Sequence, residues 1–134
     1  MYTYNTKIRL FHTDAAGIIF YSNIFDIAYE CMEEFLEESG FGIKNILAEG
    51  IFITPVVHAE ADYFKPLRTG DKITIIMSLI SSGKNSFAID YDFFNASGEK
   101  AAKVMTVHVP VDPKSGKSIK IPDKLFGILK SLNK

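Results

Sequence analysis

The stretch from Ser22 to Gly40, SNIFDIAYECMEEFLEESG, carries the longest helical pattern in the chain. Its apolar residues recur at helical spacing and its acidic residues lie elsewhere; the apolar set is Ile24, Ile27, Ala28, Cys31 and Phe35, widened by Phe25, Met32 and Leu36. Ser22 suits an N-cap, and Gly40 suits a C-terminal cap. The pattern predicts one helix over residues 22–39, and its broad apolar face predicts deep burial against a sheet, with Cys31 as a core residue.

Outside this helix the apolar period is two, which is typical of strands. One strand is predicted before the helix, over residues 2–11, and four after it, over 51–64, 71–82, 86–95 and 99–109. The short turn sequences at 82–85 and 95–98 indicate antiparallel neighbours. Pro122 suits the start of a short helix over 122–132. We therefore predict a single α+β domain over residues 1–134.

One helix cannot cover both faces of a five-stranded sheet. The remaining face must be solvated or covered by a partner, and we therefore expect an oligomer.

The composition excludes several classes of function. Hydrophobic residues make up 47% of the chain and charged residues 23%, as in globular proteins. The net charge of −1 gives no electrostatic basis for binding nucleic acid or an anionic membrane. We expect no signal peptide and no membrane span, because the N-terminal residues are polar and no apolar run approaches ~20 residues. Cys31 is the single cysteine, which excludes an intrachain disulfide and favours a reducing, cytoplasmic location.

Residues with metal or nucleophile chemistry do not cluster in the sequence. The three histidines, His12, His58 and His108, are far apart and lack the spacing of metal ligands. The chain contains no phosphate-binding glycine-rich loop and no serine nucleophile elbow. We therefore expect neither a metal nor a cofactor.

The loop before the long helix is the remaining candidate site. Asp14 is followed by Ala15, Ala16 and Gly17, so no bulky neighbour shields its carboxylate. Tyr21 lies near the helix start, where backbone N–H groups are unpaired and the helix dipole is positive. A carboxylate beside such an amide is a minimal acyl-transfer site. The alternative from these residues alone is an aspartate that caps a turn or helix.

Two segments resemble a known family. Residues 14–23, DAAGIIFYSN, resemble the signature of the 4-hydroxybenzoyl-CoA-type thioesterases, which have the hotdog fold. Residues 63–71, YFKPLRTGD, look like the family's turn between its second and third strands. The resemblance covers roughly residues 3–110. It implies a five-stranded antiparallel sheet wrapped around the long helix. It also implies a homodimer or homotetramer whose sheets join edge to edge, with each active site between subunits.

The resemblance also implies roles for individual residues. Asp14 matches the catalytic carboxylate, the backbone N–H of Tyr21 matches the amide that binds the thioester oxygen, and Gly17 lets the loop turn under the substrate. Many members carry an acidic residue or Gln where this chain has His12.

In some members, basic residues just before the fourth strand hold the CoA phosphates, and here Lys84 alone remains in that turn. Lys117 and Lys120 could contribute, or they could be ordinary solvated lysines.

One branch of the family, the 1,4-dihydroxy-2-naphthoyl-CoA thioesterases of menaquinone biosynthesis, is similar in further positions. These are the run before Gly17, Asn23, the helix segment 29–33, and Val57-His58 in the second strand. Glu30 and His58 would then line the acyl pocket. The alternatives are a solvated helix face for Glu30 and an ordinary strand histidine for His58. Four aromatic residues fall in or beside the two motifs, where a flat aromatic acyl group could rest against them: Phe20, Tyr21, Tyr63 and Phe64.

The leading prediction is a thioesterase that hydrolyses an aromatic acyl-CoA, with the acyl-CoA as its small-molecule partner. A thioesterase for short- or medium-chain or 4-hydroxybenzoyl-type acyl groups is the first alternative. A hotdog dehydratase is a second, although no histidine follows Asp14 closely as that chemistry usually requires. A non-catalytic acyl-CoA-binding module is a third, although it would have no use for an exposed carboxylate beside a thioester.

Overall fold

A five-stranded antiparallel sheet and one long helix organise the chain, which a computed structural model describes over residues 1–133. The strands are β1 (Tyr2–Lys7), β2 (Val56–Tyr63), β3 (Lys72–Ser82), β4 (Phe87–Phe94) and β5 (Lys100–His108). The helices are α1 (Asn23–Glu38), α2 (Ile43–Glu49) and α3 (Asp123–Lys130), and a 3-10 turn spans Leu10–His12. The predicted α+β fold, with the long helix, five strands and a short C-terminal helix, is confirmed.

The strand order is β1-β3-β4-β5-β2, with every neighbouring pair antiparallel. Short turns join β3 to β4 and β4 to β5. Strands β1 and β2 form the two opposite edges of the sheet, and each pairs with a strand that is distant in sequence. Met77, Tyr91 and Val104 stand in one row across the three central strands and are almost completely buried. This row belongs to the face that α1 covers.

The core forms between α1 and this inner face. The Cys31 Sγ lies 4.0 Å from the Met77 Sδ, and the rings of Tyr2 and Phe35 are 5.4 Å apart. Burial raises the pKa of Cys31 to about 12, so the thiol stays protonated in the core. Cys31 is therefore the small core residue that its place on the helix predicted.

The end of α1 follows the predicted cap, but the next element was missed. Gly40 has a φ of 76°, and the Phe41 N–H reaches back to the Leu36 carbonyl at 2.8 Å. The unpredicted α2 follows at once, because its seven residues are too few for a clear helical period. At the other end, Ser22 occupies the N-cap position without a side-chain hydrogen bond.

Two predicted strands are too long. The strand predicted over 2–11 stops at Lys7, because the Arg9 N–H donates to the His12 Nδ1 at 2.9 Å and the chain turns there. The strand predicted over 51–64 begins at Val56, and Ile53 forms only an isolated bridge with Val111. Because β1 ends at Lys7, the segment between β1 and α1 is not part of the sheet and crosses its end. This segment contains the predicted site residue Asp14.

The face of the sheet opposite α1, called the outer face below, carries several charged side chains among apolar ones. Lys103 lies 3.1 Å from Asp90, and Lys100 lies 3.2 Å from Asp92. Strand β2 is largely exposed along its length. Across residues 1–133, no helix combines the length and the apolar character that a membrane crossing requires.

Candidate active site

The two family motifs lie side by side across one end of the sheet. The Ile19 N–H donates to the Leu67 carbonyl at 2.8 Å, and the Thr69 N–H donates to the Gly17 carbonyl at 3.1 Å. The Thr69 and Thr13 hydroxyls are 3.0 Å apart. Backbone pairing therefore holds the loop before α1 against the segment that links β2 to β3.

Asp14 has one engaged and one free carboxylate oxygen. Its Oδ1 accepts hydrogen bonds from the Ala16 N–H at 2.9 Å and the Ile18 N–H at 3.3 Å. Its Oδ2 accepts none from residues 1–133, and the side chain is exposed. The turn-capping role and an available carboxylate thus occur together, because capping uses only one oxygen.

Gly17 lets this loop close. Its φ is +73°, a left-handed conformation that side chains with a Cβ seldom adopt. Its N–H donates to the Asp14 carbonyl at 3.0 Å. The turn therefore brings the Ala16 and Ile18 N–H groups to the Asp14 Oδ1 and leaves the Oδ2 unbonded.

The amide of Tyr21 is the second free group. Within the described part of the chain its N–H donates to no carbonyl and no side chain. It stands two residues before the first residue of α1, where the helix dipole favours negative charge. The Tyr63 hydroxyl donates to the Tyr21 carbonyl, which ties the end of β2 to this residue.

Asn23 and His12 hold the loop to the helix start. The Asn23 side-chain amide donates to the His12 carbonyl at 2.8 Å, and the Phe20 N–H donates to the same oxygen at 2.9 Å. The His12 Nδ1 accepts from Arg9, and burial lowers the pKa of His12. His12 is thus a neutral anchor. Its role could not be read from sequence, because all these contacts depend on the folded loop.

A cleft of about 360 Å³ opens between the two motifs. It is lined by Ile18, Ile19, Tyr21, Tyr63, Phe64, Lys65 and Pro66. Phe20 lies beside it, 46% exposed, with its ring centroid 4.9 Å from that of Tyr21. Phe20 and Tyr21 thus lie together at the cleft, and Asp14 and Gly17 lie on the same loop, whose Ile18 also lines the cleft. Tyr63 and Phe64 of the second motif also line the cleft, but the hydrogen bond from the Tyr63 hydroxyl to Tyr21 gave no signal in the sequence.

Glu30 and His58 lie apart from each other. Glu30 is an exposed residue of α1 near Tyr4, and burial followed by the Glu30 charge raises the pKa of Tyr4. His58 points from β2 to the outer face, with its Nε2 3.4 Å from Glu60. The two residues occupy opposite sides of the sheet, so one protomer does not join them in a single pocket.

Lys84 lies at the far end of β3 from Asp14. Strand β3 has 11 residues, which separates its ends by about 30 Å or more. Lys84 and Lys120 line one small cleft of about 260 Å³, because the Ile121 N–H donates to the Lys84 carbonyl at 2.9 Å. Lys117 does not line this cleft. Nor do any three His, Cys, Asp or Glu side chains among residues 1–133 form a group suited to a metal ion.

Comparison with known proteins gives the class to which this fold and loop belong. The thioesterase-like superfamily matches residues 8–129, so the chain belongs to that superfamily. Its sequence is similar to the 1,4-dihydroxy-2-naphthoyl-CoA hydrolase of Rippkaea orientalis, with 33% identity over 133 residues, 98% of this chain and 96% of the relative.

Solved structures agree with this class. A 1,4-dihydroxy-2-naphthoyl-CoA thioesterase from Synechocystis superposes with a TM-score of 0.90 at 27% identity, covering 97% of this chain and 96% of that one. A gentisyl-coenzyme A thioesterase superposes with a TM-score of 0.84 at 25% identity, covering 96% and 99%. The predicted family, hotdog fold and thioester hydrolase class are confirmed.

Proposed function

We propose that this chain hydrolyses an aromatic acyl-CoA to the free acid and CoA, with 1,4-dihydroxy-2-naphthoyl-CoA as the first substrate to test. The observation that carries the proposal is the pair of free groups on one braced loop, the Oδ2 of Asp14 and the N–H of Tyr21. The names of the similar proteins support the aromatic acyl group, since they act on a naphthoyl or a gentisyl thioester.

In the proposed mechanism the thioester oxygen accepts a hydrogen bond from the Tyr21 N–H. Negative charge develops on that oxygen in the transition state, and a fixed donor at a helix start stabilises it there. The Tyr63 hydroxyl acts on the other side of Tyr21 and keeps the residue in place. Tyr63 is therefore a positioning residue for the amide.

The Asp14 Oδ2 supplies the second half of the reaction by one of two routes. As a nucleophile, it attacks the thioester carbon, CoA leaves as the thiolate and takes a proton from water, and water then hydrolyses the acyl anhydride. As a general base, it takes a proton from the attacking water and passes it to the departing thiolate. Both routes consume one water molecule and release acid and CoA. Hydrolysis in heavy-oxygen water under single turnover labels Asp14 only in the first.

The acyl group lies against aromatic rings in this proposal. Phe20, Tyr21 and Phe64 are partly exposed at the cleft, and their rings offer flat apolar surface. A planar acyl group stacks on such rings and removes them from water. A linear chain would gain less from this shape, so the aromatic class is the better fit.

A second copy of the chain would complete the site. Strand β2 has an unpaired edge of eight residues with exposed Val56 and Val57, which a soluble fold rarely leaves uncovered. We infer that two copies pair antiparallel along β2, as a homodimer or as half of a homotetramer. This pairing would set the start of the partner's β2 beside Tyr63.

The strand register indicates which residues a second copy would place near the cleft. Val56, His108, Phe87 and Ser82 stand in one row across the sheet, so the β3–β4 turn lies at the same end as the start of β2. Lys84 of a second copy would therefore approach the cleft, with Lys120 beside it. This geometry supports Lys84 as a phosphate anchor across the interface. Glu30 and His58 would share a pocket only if the interface brings them together.

The proposal needs neither a metal nor an organic cofactor, because water, Asp14 and a backbone amide supply the chemistry. Activity should therefore persist in the presence of a chelator. A cytoplasmic location is part of the same proposal, and the single buried thiol of Cys31 suits a reducing compartment.

A panel of CoA esters tests the function. Thiol release would be followed for naphthoyl, gentisyl and 4-hydroxybenzoyl esters and for short and long linear esters. The proposal expects kcat/KM to be at least about tenfold higher for the aromatic esters, which corresponds to about 1.4 kcal/mol. A preference for linear esters would overturn the aromatic assignment. Addition of water to an enoyl-CoA, without thiol release, would favour a dehydratase.

A further inference from the structure

A broad groove crosses the outer face at the β1 edge of the sheet, away from the Tyr21–Tyr63 cleft. Its volume is about 940 Å³, within the usual range of ligand sites. Three basic residues line it, Lys7, Arg9 and Lys72, and no aspartate or glutamate does. The groove therefore presents three cationic side chains and no carboxylate in its lining.

Two of these lysines oppose each other directly. Lys7 of β1 and Lys72 of β3 are partners in the strand register. The next pair on the same face, Asn5 and Thr74, is joined by a hydrogen bond of 2.8 Å between its side chains. Like charges at directly opposed positions destabilise a sheet. The pairing therefore has a cost that a bound anion would offset.

The chain itself provides no such anion. Other outer-face lysines have carboxylate partners, since Lys100 pairs with Asp92 and Lys103 with Asp90. Lys7 and Lys72 form no ion pair with any of residues 1–133, and neither does Arg9. Lysines elsewhere on the outer face are paired with carboxylates, whereas the three cations of the groove are not. These cations are therefore available to bind a ligand from outside the chain.

The other residues that line the groove indicate which kind of ligand it could bind. Ile76 and the ring of Phe94 provide apolar surface beside the cations, and Asn5 adds a side-chain amide. We propose that the groove binds a nucleoside phosphate, with phosphate groups on Lys7, Arg9 and Lys72 and the base against Phe94 and Ile76. Cationic side chains form strong charge-assisted hydrogen bonds to phosphate, and aromatic rings stack on bases.

The groove is linked to the Asp14 loop. The Gly70 N–H donates to the Ile8 carbonyl at 2.7 Å, and the neighbouring Thr69 N–H donates to the Gly17 carbonyl at 3.1 Å. The nucleoside phosphate therefore has two possible sources, the nucleotide end of a CoA ester held at Asp14 or a free nucleotide. The first source rests on the proposed hydrolysis of a CoA ester and would place the CoA phosphates in this groove instead of on Lys84 of a second copy, whereas the second requires neither.

Direct binding tests the groove without any turnover. Calorimetric titration would use 3′,5′-ADP, 5′-AMP and inorganic pyrophosphate against the wild-type protein and the double variant Lys7→Gln/Lys72→Gln. The matched control is Lys44→Gln/Lys114→Gln, which removes the same charge from exposed lysines outside the groove. We expect the groove variant to bind 3′,5′-ADP at least about tenfold more weakly, and the control to bind within about twofold of wild type.

Steady-state kinetics then separates the two sources. A raised KM for a CoA ester, with no change for the matching pantetheine ester, would identify the nucleotide end of CoA. An unchanged KM with lost nucleotide binding would identify a free nucleotide, and both results support the site. Failure to hydrolyse any CoA ester would contradict the proposed function but not the binding result.

Two results would overturn the proposed site. One is the absence of nucleotide binding by the wild-type protein, which would leave Lys7 as a solvated edge residue that limits aggregation. The other is binding that survives in the groove variant and is lost in Lys84→Gln/Lys120→Gln.

Discussion

The hydroxyl of Tyr63 donates a hydrogen bond to the backbone carbonyl of Tyr21 and joins the end of β2 to the start of the long helix. The two residues belong to different motifs and lie 42 positions apart. Their link fixes the residue whose free N–H would bind the thioester oxygen in the proposed mechanism. The site therefore depends on how the loop before α1 is braced as well as on the residues it carries.

Tyr63→Phe tests this brace. The substitution keeps the ring in the cleft and removes only the hydroxyl, a loss of about 1 kcal/mol for one hydrogen bond. We expect kcat to fall about fivefold while KM changes little, since the amide acts mainly on the transition state. Tyr29→Phe is the control, because the Tyr29 hydroxyl makes no hydrogen bond within residues 1–133. Equal kinetics for the two variants would remove Tyr63 from the mechanism.

Gly17→Ala tests the shape of the Asp14 loop. A Cβ at this position would meet nothing closer than the Thr69 Oγ1 at 3.9 Å, so the cost comes from the left-handed φ of +73°. We expect a loss of about 1–2 kcal/mol in the free energy of unfolding, together with a loss of activity. Denaturant titration and thiol release measure the two effects.

The chain contains a matched control for this change. Gly116 has a φ of +71° and no atom within 4 Å of an added Cβ, and its N–H donates to the Asp112 carbonyl as that of Gly17 donates to Asp14. Gly116→Ala should cost similar stability and leave activity intact. If it impaired turnover as much as Gly17→Ala, the Asp14 loop would have no special role.

His108 makes stability depend on pH. It is 1% exposed, its Nδ1 lies 3.2 Å from the Thr54 carbonyl, and its Nε2 lies 2.9 Å from the Thr106 hydroxyl. Burial lowers the pKa of His108 below its ordinary 6.5. Below about pH 6.5 the His108 imidazole binds a proton more readily in the unfolded chain than in the folded chain. The free energy of unfolding therefore falls as the pH falls through that range.

Denaturant titrations between about pH 5 and 7.5 would measure this dependence. We expect His108→Gln to flatten the slope partly, because buried His12 contributes in the same direction. His58→Gln is the control, since His58 is exposed beside Glu60. An unchanged slope in His108→Gln would show that other groups govern acid stability.

Val57→Lys tests pairing along β2. Val57 is 59% exposed on the free edge, and a lysine there opposes strand pairing between copies. We expect sedimentation to show a shift toward monomer and a matching loss of activity. Leu47→Lys, at an exposed site on α2, should change neither. A monomeric wild-type protein with full activity would contradict the proposed shared site.

The sequence was most informative where its signals were local. The apolar period of α1, the turns that join β3 to β4 and β4 to β5, and the glycine after α1 each depend on a few neighbouring residues, and each prediction was confirmed. Helix α2 was missed because its seven residues, about two turns, are too few to show a clear helical period. The end of β1 was predicted too late in the sequence. The hydrogen bond from the Arg9 N–H to the His12 Nδ1 forms only in the folded turn, so no local pattern shows it.

The site was predictable in part for the same reason. The stretch containing Asp14, Gly17, Phe20 and Tyr21 is continuous, so its residues could be grouped by resemblance. The face to which His58 points depends on the bulge between Val56 and His58 in the pairing of β2 with β5, which no local pattern shows. The opposition of Lys7 and Lys72 likewise depends on a register set by distant strands.

The substitution Asp14→Asn tests most directly whether the Asp14 carboxylate takes part in thioester hydrolysis. Asn keeps an oxygen to accept from the Ala16 and Ile18 N–H groups, so the loop is preserved while the carboxylate is lost. Asp112→Asn is the matched control, because the Asp112 Oδ1 accepts from the Lys114 N–H in a similar turn. With 1,4-dihydroxy-2-naphthoyl-CoA, we expect kcat to fall at least about 10³-fold in Asp14→Asn and to stay near wild type in Asp112→Asn. Undiminished thiol release by Asp14→Asn would show that the Asp14 carboxylate takes no part in the reaction.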